Sequence, residues 1–229
     1  MTDFTITELR IGKVAPLGPR GVASAIDKRS VPGPIMARTT SLDGDEQGDP
    51  RHHGGADKAL HAYPASHYIS WSEDLPERED RFRPGAFGEN LVIEGATEPE
   101  LCLFDRYQIG GATVEVSQTR QPCWKLNLRF DQLDMARRVQ ETGRTGWYFR
   151  VLSDGLISPG DRAELITRPQ PDWPLSRVWR LLYRDTLDPD ALADFANLPC
   201  LPESWQRAID TRLARQTVED WRPRLDTPE

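Results

Sequence analysis

The chain has 229 residues, of which 38% are hydrophobic and 28% charged, a composition that excludes both intrinsic disorder and a membrane-embedded bundle. A net charge of −7 excludes sequence-independent binding to nucleic acid, which needs clustered cations. A chain of this length buries roughly 70% of its unfolded surface, enough to fold without disulfides.

Up to about Thr167 the text is strand-like and broken by turns. Lys58-Ala-Leu-His-Ala-Tyr63 and Glu89-Asn-Leu-Val-Ile93 are short apolar runs between Gly, Pro and Asp clusters. Ala65 to about Glu73 reads as a helix. Tyr107–Val116 reads as a hairpin, with Gly110-Gly111 supplying the positive φ values of its turn. A second helix is expected from Gln132 to about Glu141, with Asp131 as N-cap and Gly143 as its stop. Strands outnumber helices and do not alternate with them, which predicts a mainly β (α+β) domain over 1–167, a mixed or antiparallel β-barrel. Arg168-Pro-Gln-Pro-Asp-Trp-Pro174 reads as a proline-rich linker over 168–174. A small three-helix domain is expected over 175–229. Its first helix carries the stripe Leu175, Val178, Trp179 and Leu182. The second opens on Asp188-Pro189 and buries Leu192 and Phe195. The third repeats Trp205, Ala208, Ile209 and Leu213. Each is too short to be stable alone, so the three are expected to pack on one another or on the barrel.

No apolar run approaches the ~18 residues of a spanning helix, and MTDFTITELR carries no signal-peptide core. The expected location is therefore the cytoplasm, without membrane contact. Only four of the 29 basic residues are lysine (Lys13, Lys28, Lys58 and Lys125), which makes each of them worth attention.

Four clusters carry candidate chemistry. The segment from Asp45 to Lys58 reads as a polar loop or as a backbone anion nest, with Gly54 and Gly55 allowing close approach and Lys58 adding a charge. His52, His53 and His61, near Asp49 and Asp57, also admit a carboxylate–histidine zinc site, although their spacing matches no familiar zinc pattern. Phe87-Gly-Glu-Asn90 is a turn at a strand mouth, where Glu89 and Asn90 can orient a polar ligand. Ser117–Lys125 places Cys123 after a strand, stiffened by Pro122 and bracketed by Arg120 and Lys125. Those cations are expected to lower its pKa, and the strand end to expose it. Cys102 and Cys200 stand in apolar text and are expected to be buried and inert. Thr142–Tyr148 repeats the glycine–cation theme around Arg144.

The series His53-Gly-Gly55, Asp57-Lys58, His61-Ala-Tyr63, Gly88-Glu-Asn90, Arg120, Cys123, Lys125, Gly143-Arg144 and Gly146 resembles the MOSC family, first named from the C-terminal part of molybdenum-cofactor sulfurase. The resemblance covers about residues 10 to 167. The following segment is similar to the three-α-helix domain of stand-alone bacterial members that reduce hydroxylaminopurines. It implies a molybdenum cofactor, a pyranopterin dithiolene with a terminal phosphate, whose metal takes one protein cysteine. By matching motifs that cysteine is Cys123. Lys58, Arg120, Lys125 and Arg144 are the candidate phosphate holders, with His61, Asn90, Gly54 and Gly55 as further cofactor contacts. The implied activity is reduction of N-hydroxylated compounds such as hydroxylaminopurines, amidoximes and hydroxylamines, with Glu89 and His53 as candidate proton donors. No dinucleotide fingerprint and no ferredoxin-like cysteine run occurs, so electrons are expected from a separate flavin reductase, with or without an iron–sulfur carrier. A cofactor or persulfide carrier using Cys123 is the chief alternative, and a cysteine hydrolase a third. A homodimer is compatible with the sequence.

Overall fold

The computed structural model describes residues 2–228, apart from the side chains of Arg51 and His52. First come β1 (Phe4–Gly12), β2 (Ala15–Leu17), β3 (Val22–Ser24), β4 (Lys28–Val31) and β5 (Ile35–Ala37). Helix α1 (Pro50–His53) leads through β6 (Leu60–Pro64) and α2 (Ser66–Asp74) to β7 (Leu91–Glu94). Strands β8 (Arg106–Ile109) and β9 (Ala112–Thr119) precede α3 (Lys125–Phe130) and α4 (Met135–Thr142). Then come β10 (Trp147–Ser153), β11 (Gly155–Ile157) and β12 (Arg162–Thr167), followed by α5 (Leu175–Tyr183), α6 (Pro189–Ala196), α7 (Glu203–Arg215) and α8 (Arg222–Leu225).

Seven strands close a barrel in the order β12-β8-β9-β10-β6-β7-β1, with β1 returning to β12 through Phe4↔Ala163 and Thr5↔Arg162. Only β6 and β7 run parallel within it, so the barrel is mixed, as the sequence suggests. β4 extends the sheet from the second half of β1. Closure leaves the ring without the unpaired edges of an open sheet.

Strand alternation divides the apolar residues between two cores. Trp147 and Phe149 of β10 point into the barrel, where Trp147 meets Phe4 edge-on at 6.2 Å. Leu60 and Ala62 of β6 join them. Tyr63, on the other face of β6, stacks on Phe87 at 4.4 Å and belongs to a second core with Trp71, Leu126, Phe130 and Val139.

The hairpin forms as expected, but only Gly110 of the glycine pair takes positive φ (52°). Gly111 instead lies against the backbone of Leu156, which accepts its N–H at 2.8 Å. The second helix differs from expectation. Asp131 is the left-handed C-cap (φ 51°) of α3, and α4 starts at Met135 after Asp134. The cause is Asn127, 3% exposed, whose backbone carbonyl accepts from Gln132 N at 3.0 Å and whose side chain accepts from Ala136 N at 2.8 Å. Gly143 stops α4 at φ 77°.

The C-terminal helices pack onto the barrel and share its core. Leu175, Val178 and Leu182 of α5 are buried, and the Trp179 Nε1–H reaches the Gln140 carbonyl at 2.7 Å. Asp188 caps α6 by accepting from Asp190 N and Ala191 N. Phe195, fully buried between Trp173 at 4.8 Å and Trp205 at 5.8 Å, contributes roughly 1.5–3 kcal/mol of apolar burial. The proline-rich segment is pinned down: Leu103 N donates to the Trp173 carbonyl at 3.0 Å, and Arg168 pairs with Asp105 at 2.7 Å. Among the described residues no helix is long and apolar enough to cross a membrane.

Candidate active site

The site lies on the outer face of the barrel. Because residues directly opposite across paired strands share a face, Tyr148 of β10 stands beside His61 of β6 and Gln118 of β9. The Tyr148 and His61 rings approach to 5.0 Å. One residue past β9, Arg120 donates its N–H to the Gly146 carbonyl at 3.1 Å. The chain then crosses through Cys123 into α3. Gly146 has to be glycine here: its φ is 65°, and a Cβ would stand 2.3 Å from the Ala62 carbonyl oxygen.

Two chambers meet at Cys123. The inner one, about 60 Å³, is lined by Lys28, Gln47, Phe87, His61 and Arg120 together with residues shared with the outer one. The outer one, about 550 Å³, adds Lys58, Gln121, Ser204, Arg207 and Arg224. Asp49, His53, Cys123, Lys125 and Tyr148 border both. The inner space matches about two waters or one compact anionic group; the outer admits an organic molecule. Walls from α7 and α8 thus bring the C-terminal helices into the site.

Cys123 is 9% exposed, where the sequence predicts an exposed thiol. His53, the last residue of α1, lies against it, with Nε2 at 3.6 Å from Sγ. Burial pushes the His53 pKa down to about 3, helped by the cations Arg120, Lys58 and Lys125 and opposed by Asp49. Those three cations lie together around His53, whereas Arg144, the fourth cation of the sequence reading, does not join them. Lys125, 8% exposed, gives its Nζ to the Ala23 carbonyl at 2.9 Å. Burial is the largest influence on Lys58 and lowers its pKa. Its loop is tied to the barrel by Asp57, whose carbonyl accepts from Ser117 at 2.6 Å and whose carboxylate pairs with Arg150 at 2.8 Å. Arg120 is 5% exposed and donates Nη2 to the Phe87 carbonyl at 3.4 Å, while its buried Nη1 has no hydrogen-bond partner. A buried donor left without an acceptor costs about 1–3 kcal/mol, and no carboxylate is paired with this guanidinium among the described residues, so the arrangement fits an anionic ligand.

Other candidates lie elsewhere or act differently. Glu89, fully buried, does not line either chamber: Oε1 accepts from the Tyr68 hydroxyl and Gly85 N–H, and Oε2 from Phe87 N–H at 3.0 Å. It fixes the turn that presents Phe87 and Gly88. Burial raises its pKa. Asn90 likewise braces the backbone, accepting from His61 N at 3.1 Å and donating to Asp45 at 2.9 Å. Arg144 is turned away, paired with Asp74 at 2.7 Å and lying 4.5 Å from the Trp71 ring. His61 lines the inner chamber and reaches the Thr145 carbonyl at 3.3 Å; burial holds its pKa well below the ordinary value. Gly54 and Gly55 border a side cavity with Lys58 and Ser204.

The described residues include no group of three or more His, Cys, Asp or Glu placed to hold a metal ion, which leaves the zinc alternative without a donor set there; the His52 side chain lies outside them. Cys102 is buried as expected, but Cys200 is exposed, carried on a left-handed turn at φ 58°. The sequence reading did not select Gln47 or Tyr148 as site residues, and it named Asp49 only beside the histidines of the zinc alternative. Lys28 belongs with them: it pairs in burial with Asp45 at 2.6 Å, and the rarity of lysine is the one signal that marks it.

Residues 49–164 match the MOSC domain model, and residues 173–216 match the YiiM-like, 3-alpha helix domain model. The protein YiiM of Escherichia coli (strain K12) is 37% identical over 207 residues, covering 90% of this chain and 92% of that protein. A reductase of Gibberella moniliformis is 37% identical over 179 residues, 78% of this chain but 32% of that longer protein. The crystal structure of YiiM from Escherichia coli superposes with a TM-score of 0.80 at 32% identity, over 94% of this chain and all of that one (100%). By its barrel, its helical extension and these matches, the chain belongs to the MOSC domain family and carries a YiiM-like three-helix domain behind the barrel.

Proposed function

We propose that the protein is a molybdenum cofactor-dependent reductase of N-hydroxylated compounds. The observation that carries this reading is the convergence of Arg120, Lys125 and Lys58 around the buried Cys123, with Arg120 Nη1 left unpartnered. On an acidic chain, such a cluster fits a doubly charged phosphate beside a ligating thiol. Bound here, the cofactor would supply two-electron reduction of an N–O bond, the oxygen leaving as water. Cys123 Sγ is the protein's donor to the metal. Arg120 and Lys125 hold the anionic end, and Lys58 adds charge at the outer chamber. His53, the one of the two candidate donors that lines the chambers, lies 3.6 Å from Sγ at their junction; burial and the neighbouring cations keep its ring neutral, so it offers the site an uncharged ring nitrogen rather than an acidic proton. The outer chamber takes the substrate. Electrons arrive from a separate flavin or iron–sulfur reductase.

The Cys123–His53 contact also invites a cysteine hydrolase. A histidine this reluctant to protonate is a poor partner for a thiolate–imidazolium pair, which weighs against it. The test is molybdenum content and viologen-driven reduction of a hydroxylaminopurine by protein from a cofactor-competent host. Wild type should turn over and Cys123→Ala should not. A Cys123→Ala protein near the wild-type rate overturns the metal-ligand role, and a molybdenum-loaded wild type that never reduces substrate favours a carrier.

A further inference from the structure

The last residues run back across the site. Segment 217–228 lies outside both matched family segments, yet it is hydrogen-bonded to the residues that flank Cys123. Arg224 makes both of the key contacts. Its backbone carbonyl accepts the N–H of Trp124 at 2.7 Å, and its Nη1 donates to the carbonyl of Pro122 at 2.5 Å. Its Nη2 reaches the side chain of Gln140 on α4. One residue therefore grips the peptide groups immediately before and after the cysteine.

The grip is itself anchored. Trp221 packs edge-on against Tyr183 of α5 at 5.5 Å, and the Arg224 guanidinium lies 5.7 Å from the same ring. Arg212 of α7, 1% exposed, donates to the Leu181 and Leu182 carbonyls and pairs with Glu219 at 2.7 Å. Leu225 is 1% exposed in the second core, and its carbonyl accepts from Asn127 at 2.9 Å.

We infer that Arg224 is a positioning residue that clamps the backbone on both sides of Cys123 and so fixes where the thiol points. The segment from Gln121 to Trp124 has no regular structure of its own. Its direction is set from outside by Arg224, whose guanidinium donates to the Pro122 carbonyl while its own backbone carbonyl accepts the Trp124 N–H. Charge-assisted bonds of this kind are shorter and stronger than neutral ones, and displacement of a working group by about 1 Å can cost two decades of rate. The inference rests on Cys123 being the working thiol, but its test does not need the cofactor.

In a Cys102→Ser/Cys200→Ser background Cys123 is the sole thiol, and its alkylation by iodoacetamide can be followed by mass spectrometry. Arg224→Ala should raise the second-order rate about tenfold as the segment loosens, while the chain stays folded by circular dichroism. Arg224→Lys, which keeps a single donor for the Pro122 carbonyl, should show only part of that rise. Arg137→Ala cuts an exposed pair between α4 and Asp226 and should leave the rate unchanged. If Arg224→Ala does not fold, Arg224→Gln, which keeps a neutral donor without the fork, is read against the same limits. A rate within about twofold of the parent overturns the clamp, as does an equal rise in Arg137→Ala, which would mean general loosening of the tail. Altered alkylation together with a failure of viologen-driven reduction in loaded wild type would remove the proposed activity and leave the clamp standing.

Discussion

Replacing Glu89 by glutamine separates a structural carboxylate from a catalytic one. Three donors converge on this fully buried side chain: the Tyr68 hydroxyl and Gly85 N–H on one oxygen, and Phe87 N–H on the other. Glutamine can keep its oxygen toward the first pair, but its amide then turns N–H toward the Phe87 N–H. A buried donor left unsatisfied costs about 1–3 kcal/mol, and the two remaining bonds lose their charge assistance. Relief of a buried charge, which burial already disfavours in Glu89, offsets part of this. A net loss of about 2 kcal/mol corresponds to a fall in Tm of about 4–8 °C for a chain of this size. Thermal melting measures the first quantity. The pH profile of kcat, in cofactor-loaded enzyme, measures whether an ionisation has gone. Unchanged melting combined with loss of one limb of that profile would refute the structural assignment and return Glu89 to the role of proton donor.

The cations can be ranked in the same way. Arg120→Met should lower molybdenum retention after dialysis by one to two decades, whereas Arg144→Glu should mainly cost about 1–2 kcal/mol of stability by breaking the Asp74 pair and the Trp71 contact; equal retention in the two variants would sink the ranking. Burial, then Arg120, keeps the folded pKa of His61 far below the ordinary imidazole value of 6.5. The unfolded chain therefore takes up this proton first, so stability is fully present above pH 6.5 and is lost as pH falls toward the depressed folded value. His61→Gln should flatten that decline between about pH 7 and pH 5 in urea midpoints, and an unaltered slope would contradict it. Among the cysteines, exposed Cys200 should be alkylated first and Cys102 last, since burial and then Asp105 push the Cys102 thiol up to about 11. Peptide mapping that finds Cys102 labelled first would be inconsistent with its burial.

What could be read from the sequence followed from local chemistry. The stripe of α5, the Asp188 cap of α6 and the Gly143 stop each depend on residues a few positions apart. The convergence of Lys58, Arg120 and Lys125 was legible as an ordered series of motifs. Contacts between distant residues were not. Arg144 looked like a phosphate ligand beside its glycines, but Asp74 and Trp71, far away in sequence, hold it. The start of α4 was misplaced because Asn127, inside an unforeseen short helix, sets the corner. Cys200 stands in apolar text, yet its left-handed turn carries it outward. Glu89 read as an acid at a strand mouth, and only the three donors around it reveal its work.

Strand β6 serves two masters at a spacing of one residue. Leu60 and Ala62 fill the barrel, while His61 and Tyr63 face the chambers and the second core. Its neighbours pin that phase on both sides, through Tyr148↔His61 and Ala62↔Leu91. A single inserted or deleted residue would send the imidazole into the lumen and a leucine to the ligand side. Along this strand the protein has no neutral path between losing its fold and losing its site: selection for a stable barrel and selection for a working pocket act on the same hydrogen-bond ladder, and a variant library built there will find the two inseparable.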